Sequence, residues 1–142
     1  ELCVDADVDG LIVPDLPYEE YDELKPLLDE TNVYMIPLVA LTSEDRIPML
    51  VKESKGFVYC VSSLGVTGVR KEFDTRIDSF VAKVKEATDT PACIGFGIST
   101  KADVERFDKI ADGCIVGSAI VRKIFDSKMN LDEIKAFVSS LK

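Results

Sequence analysis

Three glycine-bearing segments are the places where this sequence could do chemistry: Gly65-Val66-Thr67-Gly68, Gly95-Phe96-Gly97-Ile98-Ser99 and Gly117-Ser118-Ala119-Ile120. They hold five of the eight glycines. Glycine lets a backbone approach a ligand closely, and the N–H groups that open a helix attract anions. Each segment follows an apolar run that reads as a buried strand and precedes a helical pattern, so bare N–H groups should gather on one rim of a parallel sheet. That is a cradle for phosphate. Each charge-assisted backbone bond contributes about 1.5 to 3 kcal/mol, so three or four could hold a phosphate without a lysine. The point matters because the formal net charge is −9. Such a charge argues against nucleic acid and anionic membranes as partners, and it leaves an anionic ligand to be held by local geometry.

The sequence has no histidine, so acid–base work must fall to carboxylates, tyrosine or lysine. The four cysteines, Cys3, Cys60, Cys93 and Cys114, form no Cys-x-x-Cys pair, and no metal site is expected. They read as small buried apolar residues in a reducing compartment. No apolar run approaches the roughly 20 residues that span a bilayer, and no signal peptide is recognisable, so the expected location is cytoplasmic.

The elements that must position the glycines are legible as apolar runs at 10–14, 34–39, 57–61, 92–96 and 113–116, with helical patterns between them. The runs are apolar throughout rather than alternating, as in strands covered on both faces. This is an α/β chain with a parallel sheet, read as one domain over residues 1–142. Thr42-Ser43-Glu44-Asp45 and Ser99 or Thr100 supply helix starts, the latter for a helix to Ile110; Pro26 and Pro48 predict a kink or a late start. The stretch 62–74 is long and aperiodic, and it follows a strand's C-terminal end, where parallel βα proteins bind ligands and place lids. The last two strands end in Gly95-Phe96-Gly97 and Gly117-Ser118, which matches the phosphate site after strands seven and eight of an eight-stranded βα barrel.

The run Tyr59-Cys60-Val61-Ser62-Ser63-Leu64-Gly65-Val66-Thr67-Gly68-Val69-Arg70 resembles the sixth strand and lid of the tryptophan synthase α subunit family. Asp9-Gly10-Leu11-Ile12-Val13-Pro14-Asp15-Leu16-Pro17, Ile36-Pro37-Leu38-Val39, Gly95-Phe96-Gly97-Ile98-Ser99 and Gly117-Ser118-Ala119-Ile120-Val121 resemble the same family in the right order and spacing. Leu41 departs from it, where relatives often carry proline. The resemblance implies a TIM-type parallel (βα) barrel, present here as a five-stranded partial barrel of strands four to eight. It implies a lyase that cleaves indole-3-glycerol phosphate to indole and glyceraldehyde 3-phosphate by a retro-aldol step without a cofactor. The implied partner, in a heterotetramer, is a β subunit that carries pyridoxal phosphate. Residue by residue, Gly68, Gly97, Gly117 and Ser118 would bind phosphate, Phe96 would line the pocket, Tyr59 would sit beside the indole, and Thr67 would tie the closed lid to a catalytic aspartate. Asp15 and Pro17 would lie near the β-subunit interface.

The family's catalytic glutamate and aspartate match nothing in this sequence, and Glu1 to Val8 reads as a helix end leading into the fourth strand. The expectation is a C-terminal portion without appreciable activity alone, with unpaired strand edges that favour association. Two other readings stay open at this point. One is a different phosphate-binding barrel, such as indole-glycerol-phosphate synthase or a histidine-biosynthesis isomerase; the other is a noncatalytic half-barrel that scaffolds the β subunit.

Overall fold

In the computed structural model, which describes residues 2–62 and 76–142, the strands follow the apolar runs. They are β1 (Gly10–Leu11), β2 (Tyr34–Met35), β3 (Leu38–Ala40), β4 (Val58–Val61), β5 (Ala92–Gly95) and β6 (Gly113–Ile115). Every pairing is parallel: β1 with β2, and β3-β4-β5-β6 in sequence order. The single run expected over 34–39 is divided at Ile36-Pro37, and proline explains where. Ile36 N–H still donates to the Leu11 carbonyl (2.8 Å), whereas Pro37 has no N–H and uses its carbonyl to accept from Tyr59 N–H (2.9 Å). The segment therefore hands its pairing from β1 on one side to β4 on the other. Such a stagger is what the tilted wall of a barrel requires.

The helices are α1 (Leu2–Asp5), α2 (Tyr21–Asp29), α3 (Ile47–Val51), α4 (Ile77–Ala87), α5 (Lys101–Phe107), α6 (Ser118–Asp126) and α7 (Leu131–Ser140). Pro48 stands in the first turn of α3, after a 3-10 segment over Leu41–Arg46, so the late helix start is observed. Pro26 lies inside α2, where it forfeits the bond to the Asp22 carbonyl. The helix expected to reach Ile110 ends at Phe107, and Ile110 and Ala111 N–H groups close a final turn on the Phe107 carbonyl.

The core lies on one face of the sheet. Val39, Val58, Cys60, Ala92 and Ile94 point into a cluster with Ile47 and Val51 of α3, Ile77, Phe80, Val81 and Val84 of α4, and Phe107 of α5. Alternation sends Leu38, Ala40, Tyr59, Val61, Cys93 and Ile115 to the opposite face, where each is only half-buried. A barrel wall has these two faces: an outer one packed on helices and an inner one that the remaining wall would cover.

Candidate functional site

The parallel strands present their C-terminal ends on one rim. The register β4–β5 pairs Val61 with Gly95, and β5–β6 pairs Gly95 with Ile115. Ser62, Phe96-Gly97 and Val116-Gly117 are thus the residues that leave adjacent strands at that rim. Tyr59, paired with Cys93, stands on the inner face one turn of pleat below.

Tyr59 and Gly95 fit each other. The tyrosine ring and hydroxyl occupy the place where a Cβ at position 95 would stand. Gly95 is therefore a close-approach glycine with a place in the ladder, and it differs from the rim glycines with which the sequence groups it. Burial pushes the Tyr59 phenol above its ordinary value, so the group is a neutral hydroxyl on an apolar ring near neutral pH.

Beyond Gly95 the backbone turns with two successive positive φ angles, +91° at Phe96 and +82° at Gly97. For Phe96 this costs on the order of 1 to 3 kcal/mol, which the surroundings must offset. Phe96 is 40% exposed at the rim. The fixing bonds come from Ser62, whose Oγ lies 2.8 Å from the Gly95 carbonyl and 2.8 Å from the Phe96 carbonyl. Among the described residues, chain neighbours aside, no atom comes within 4 Å of where a Cβ would stand at Gly97 or at Gly117. These two glycines leave open space where side chains would intrude.

Gly117 precedes α6 with no side-chain cap, and the first helical bond runs from Val121 N–H to the Gly117 carbonyl at 3.1 Å. The N–H groups of Ser118, Ala119 and Ile120 come before that bond and are the orphan donors of the helix start. Ser118 adds an exposed hydroxyl. The start of α5 differs. Asp103 accepts from Ser99 N–H (3.0 Å) and Thr100 N–H (2.9 Å), while Thr100 Oγ1 accepts from Asp103 N–H (3.2 Å). Burial pulls the Asp103 carboxyl up, but these hydrogen bonds outweigh it and hold the group below the usual carboxylate range. A carboxylate already fills that helix start, so Ser99 leaves the set of possible phosphate donors.

Tyr59, Phe96, Gly97, Gly117 and Ser118 are thus gathered on three neighbouring strand ends. Asp15 and Pro17 are not among them. Both are exposed in the turn after β1, at the other edge of the sheet, and Pro17 leads into a 3-10 turn over Tyr18–Glu20. Beside them a cleft of about 190 Å³ lies between α2 and α3, lined by Leu16, Pro17, Tyr21, Leu38 and Leu50, with the Lys25–Glu53 ion pair at its wall. It shares no residue with the glycine rim. Thr67 and Gly68 lie outside the described residues. Among the described residues no group of acidic, cysteine or histidine side chains could hold a metal ion, and no helix is long and apolar enough to cross a membrane. Sequence reasoning missed Ser62, which it placed at the start of a loop; its only signal was a serine directly after an apolar strand.

Comparison with known proteins gives one answer. The sequence profile of the tryptophan synthase alpha chain family matches residues 1–142. A tryptophan synthase alpha chain of Bacillus velezensis is 52% identical over 130 residues, which is 92% of this chain and 49% of that protein. The solved alpha subunit from Campylobacter jejuni superposes with a TM-score of 0.81 at 34% identity, over 99% of this chain and 56% of that one. A chain of the Pyrococcus furiosus tryptophan synthase α2β2 complex superposes at 0.82 with 29% identity, over 98% of this chain and 57% of that one. The chain spans about half the length of the relatives it matches.

Proposed function

Because this chain belongs to the tryptophan synthase alpha chain family, we propose that it supplies the phosphate-binding half of a barrel that cleaves indole-3-glycerol phosphate to indole and glyceraldehyde 3-phosphate. The observation that carries this reading is the pair of open glycines on adjacent strand ends, Gly97 with its positive φ and Gly117 at the uncapped start of α6. Gly97 N–H, the first N–H groups of α6 and the Ser118 hydroxyl converge from two strands on an anion, and Gly68 adds a further donor from the loop. The helix dipole of α6 favours negative charge at the same place. Gly97 and Gly117 keep it sterically open.

The indole half of the substrate lies below, against Tyr59 and Phe96. A half-buried, neutral phenol offers the ring an apolar face and the cleavage site a hydroxyl. Thr67 holds the closed loop to a catalytic aspartate. That aspartate and the glutamate that protonates the indole ring belong to the half of the family's length that this chain does not span. Residues 1–142 act as a single structural unit, the later part of the barrel. The cleavage needs no cofactor. Pyridoxal phosphate belongs to a β subunit, which docks near Asp15 and Pro17, and the assembly works in the cytoplasm.

The test is complementation. The 142-residue chain alone should release no indole from indole-3-glycerol phosphate, and addition of the preceding half of a relative should restore release. Absence of release from both, with the two halves shown to associate, would remove the lyase reading.

A further inference from the structure

Ser62 directly follows β4 and is the one buried polar residue among those described, 4% exposed. Its bonds to the described residues run to the end of β5. Its N–H donates to the Gly95 carbonyl at 3.1 Å, and its hydroxyl, with a single proton, is shared between the Gly95 and Phe96 carbonyls at 2.8 Å each. A peptide group is planar and trans, so its C=O and N–H point in opposite directions. The Phe96 carbonyl and the Gly97 N–H belong to one such plane. Holding the carbonyl against Ser62 aims the Gly97 N–H away from β4.

That plane lies between two positive φ angles, one on a phenylalanine. Rotating that plane would change ψ at Phe96 and φ at Gly97, and the bond to the Phe96 carbonyl opposes this; the bond to the Gly95 carbonyl holds the preceding plane and with it the Phe96 φ that a side chain of that size disfavours. We infer that Ser62 is a positioning residue for the anion: its hydroxyl locks the Phe96–Gly97 peptide so that the Gly97 N–H meets a phosphate oxygen. The inference rests on the phosphate reading of the rim. Ser62 itself touches no ligand.

The experiment compares Ser62→Ala, Ser62→Thr and the parent, each in the natural full-length protein, with inorganic phosphate as the probe. Ser62→Ala should weaken phosphate binding about tenfold, roughly the worth of one well-aimed charge-assisted bond. The Gly97 amide resonance, which phosphate should move downfield in the parent, should lose that response. KM for indole-3-glycerol phosphate should rise by a similar factor while kcat changes less than twofold. Ser62→Thr keeps the hydroxyl and should restore all three. A merely structural serine would lower the melting temperature and leave the affinity and the Gly97 response of the folded protein intact, and that result overturns the inference while sparing the phosphate reading. A parent that binds no phosphate overturns both. Should Ser62→Ala fail to fold, Ser62→Cys replaces it, a weaker donor of similar size; unchanged phosphate affinity in that variant also overturns the inference.

Discussion

Gly95, Gly97 and Gly117 look alike in the sequence and differ in what a methyl group would meet. At Gly95 it would collide with the Tyr59 ring, and overpacking of this kind costs about 1 to 3 kcal/mol. Gly95→Ala should therefore shift the urea midpoint downward. Gly97→Ala meets no neighbour among the described residues, but its φ of +82° strains any side chain, at about 1 kcal/mol. Its larger effect should be on phosphate affinity, read by titration at a temperature where the protein stays folded. Cys60 gives a third expectation. It is fully buried, and burial pushes its thiol up to about 12, so alkylation at pH 8 should leave it unmodified in the native protein and label it on unfolding, as peptide mass spectrometry would show.

At the scale of elements, α5 and β5 are fixed by two aspartates whose carboxyls are both held low by hydrogen bonds, from different partners. Asp112 accepts from Lys85 and from the Ala92 N–H, and both hold its carboxyl below the usual range. Asp103 is held low by the α5 capping box. A depressed carboxyl stabilises the fold fully above the unfolded value, about 3.9, and loses that contribution as pH falls through the lower folded value. The melting temperature should fall on acidification below about pH 4, and Asp112→Asn should flatten the part that Asp112 contributes. Thr100→Ala removes one side of the capping box and should cost about 1 kcal/mol in denaturant unfolding. These elements were largely legible in the sequence. Thr100 and Asp103 stand at capping-box spacing, and unbroken apolar runs located β4, β5 and β6. The division of β2 from β3 was not legible, because Pro37 breaks only one side of the pairing and periodicity is blind to sides. Nor was the distinction of Gly95 from Gly97, which depends on where Tyr59 of the neighbouring β4 lies. Ser62 escaped for the same reason: its partners are 33 and 34 residues away.

On the scale of the whole molecule, β1 and β6 end their sheets without a further partner among the described residues. Val121, Phe125, Met129 and Leu131 stand exposed on and around α6 and α7, Phe125 at 77%. Unpaired edges beside apolar side chains favour association. The 142-residue chain by itself should show concentration-dependent sedimentation and a broad melt, and the preceding half of a relative should sharpen that melt. A sharp transition independent of concentration would contradict this expectation.

The two faces of the sheet also have different freedoms. Packing strength sits with Val39, Val58, Cys60, Ala92 and Ile94 on the helix side, whereas Leu38, Ala40, Val61 and Ile115 look inward and are only half-buried. The inward residues are the ones that a further stretch of barrel wall would cover, because a closed barrel fills its centre with side chains. The helix-side residues thus give this wall its own cohesion and the inward residues give it a surface for closure, so that the alternation of a single strand divides self-support from assembly.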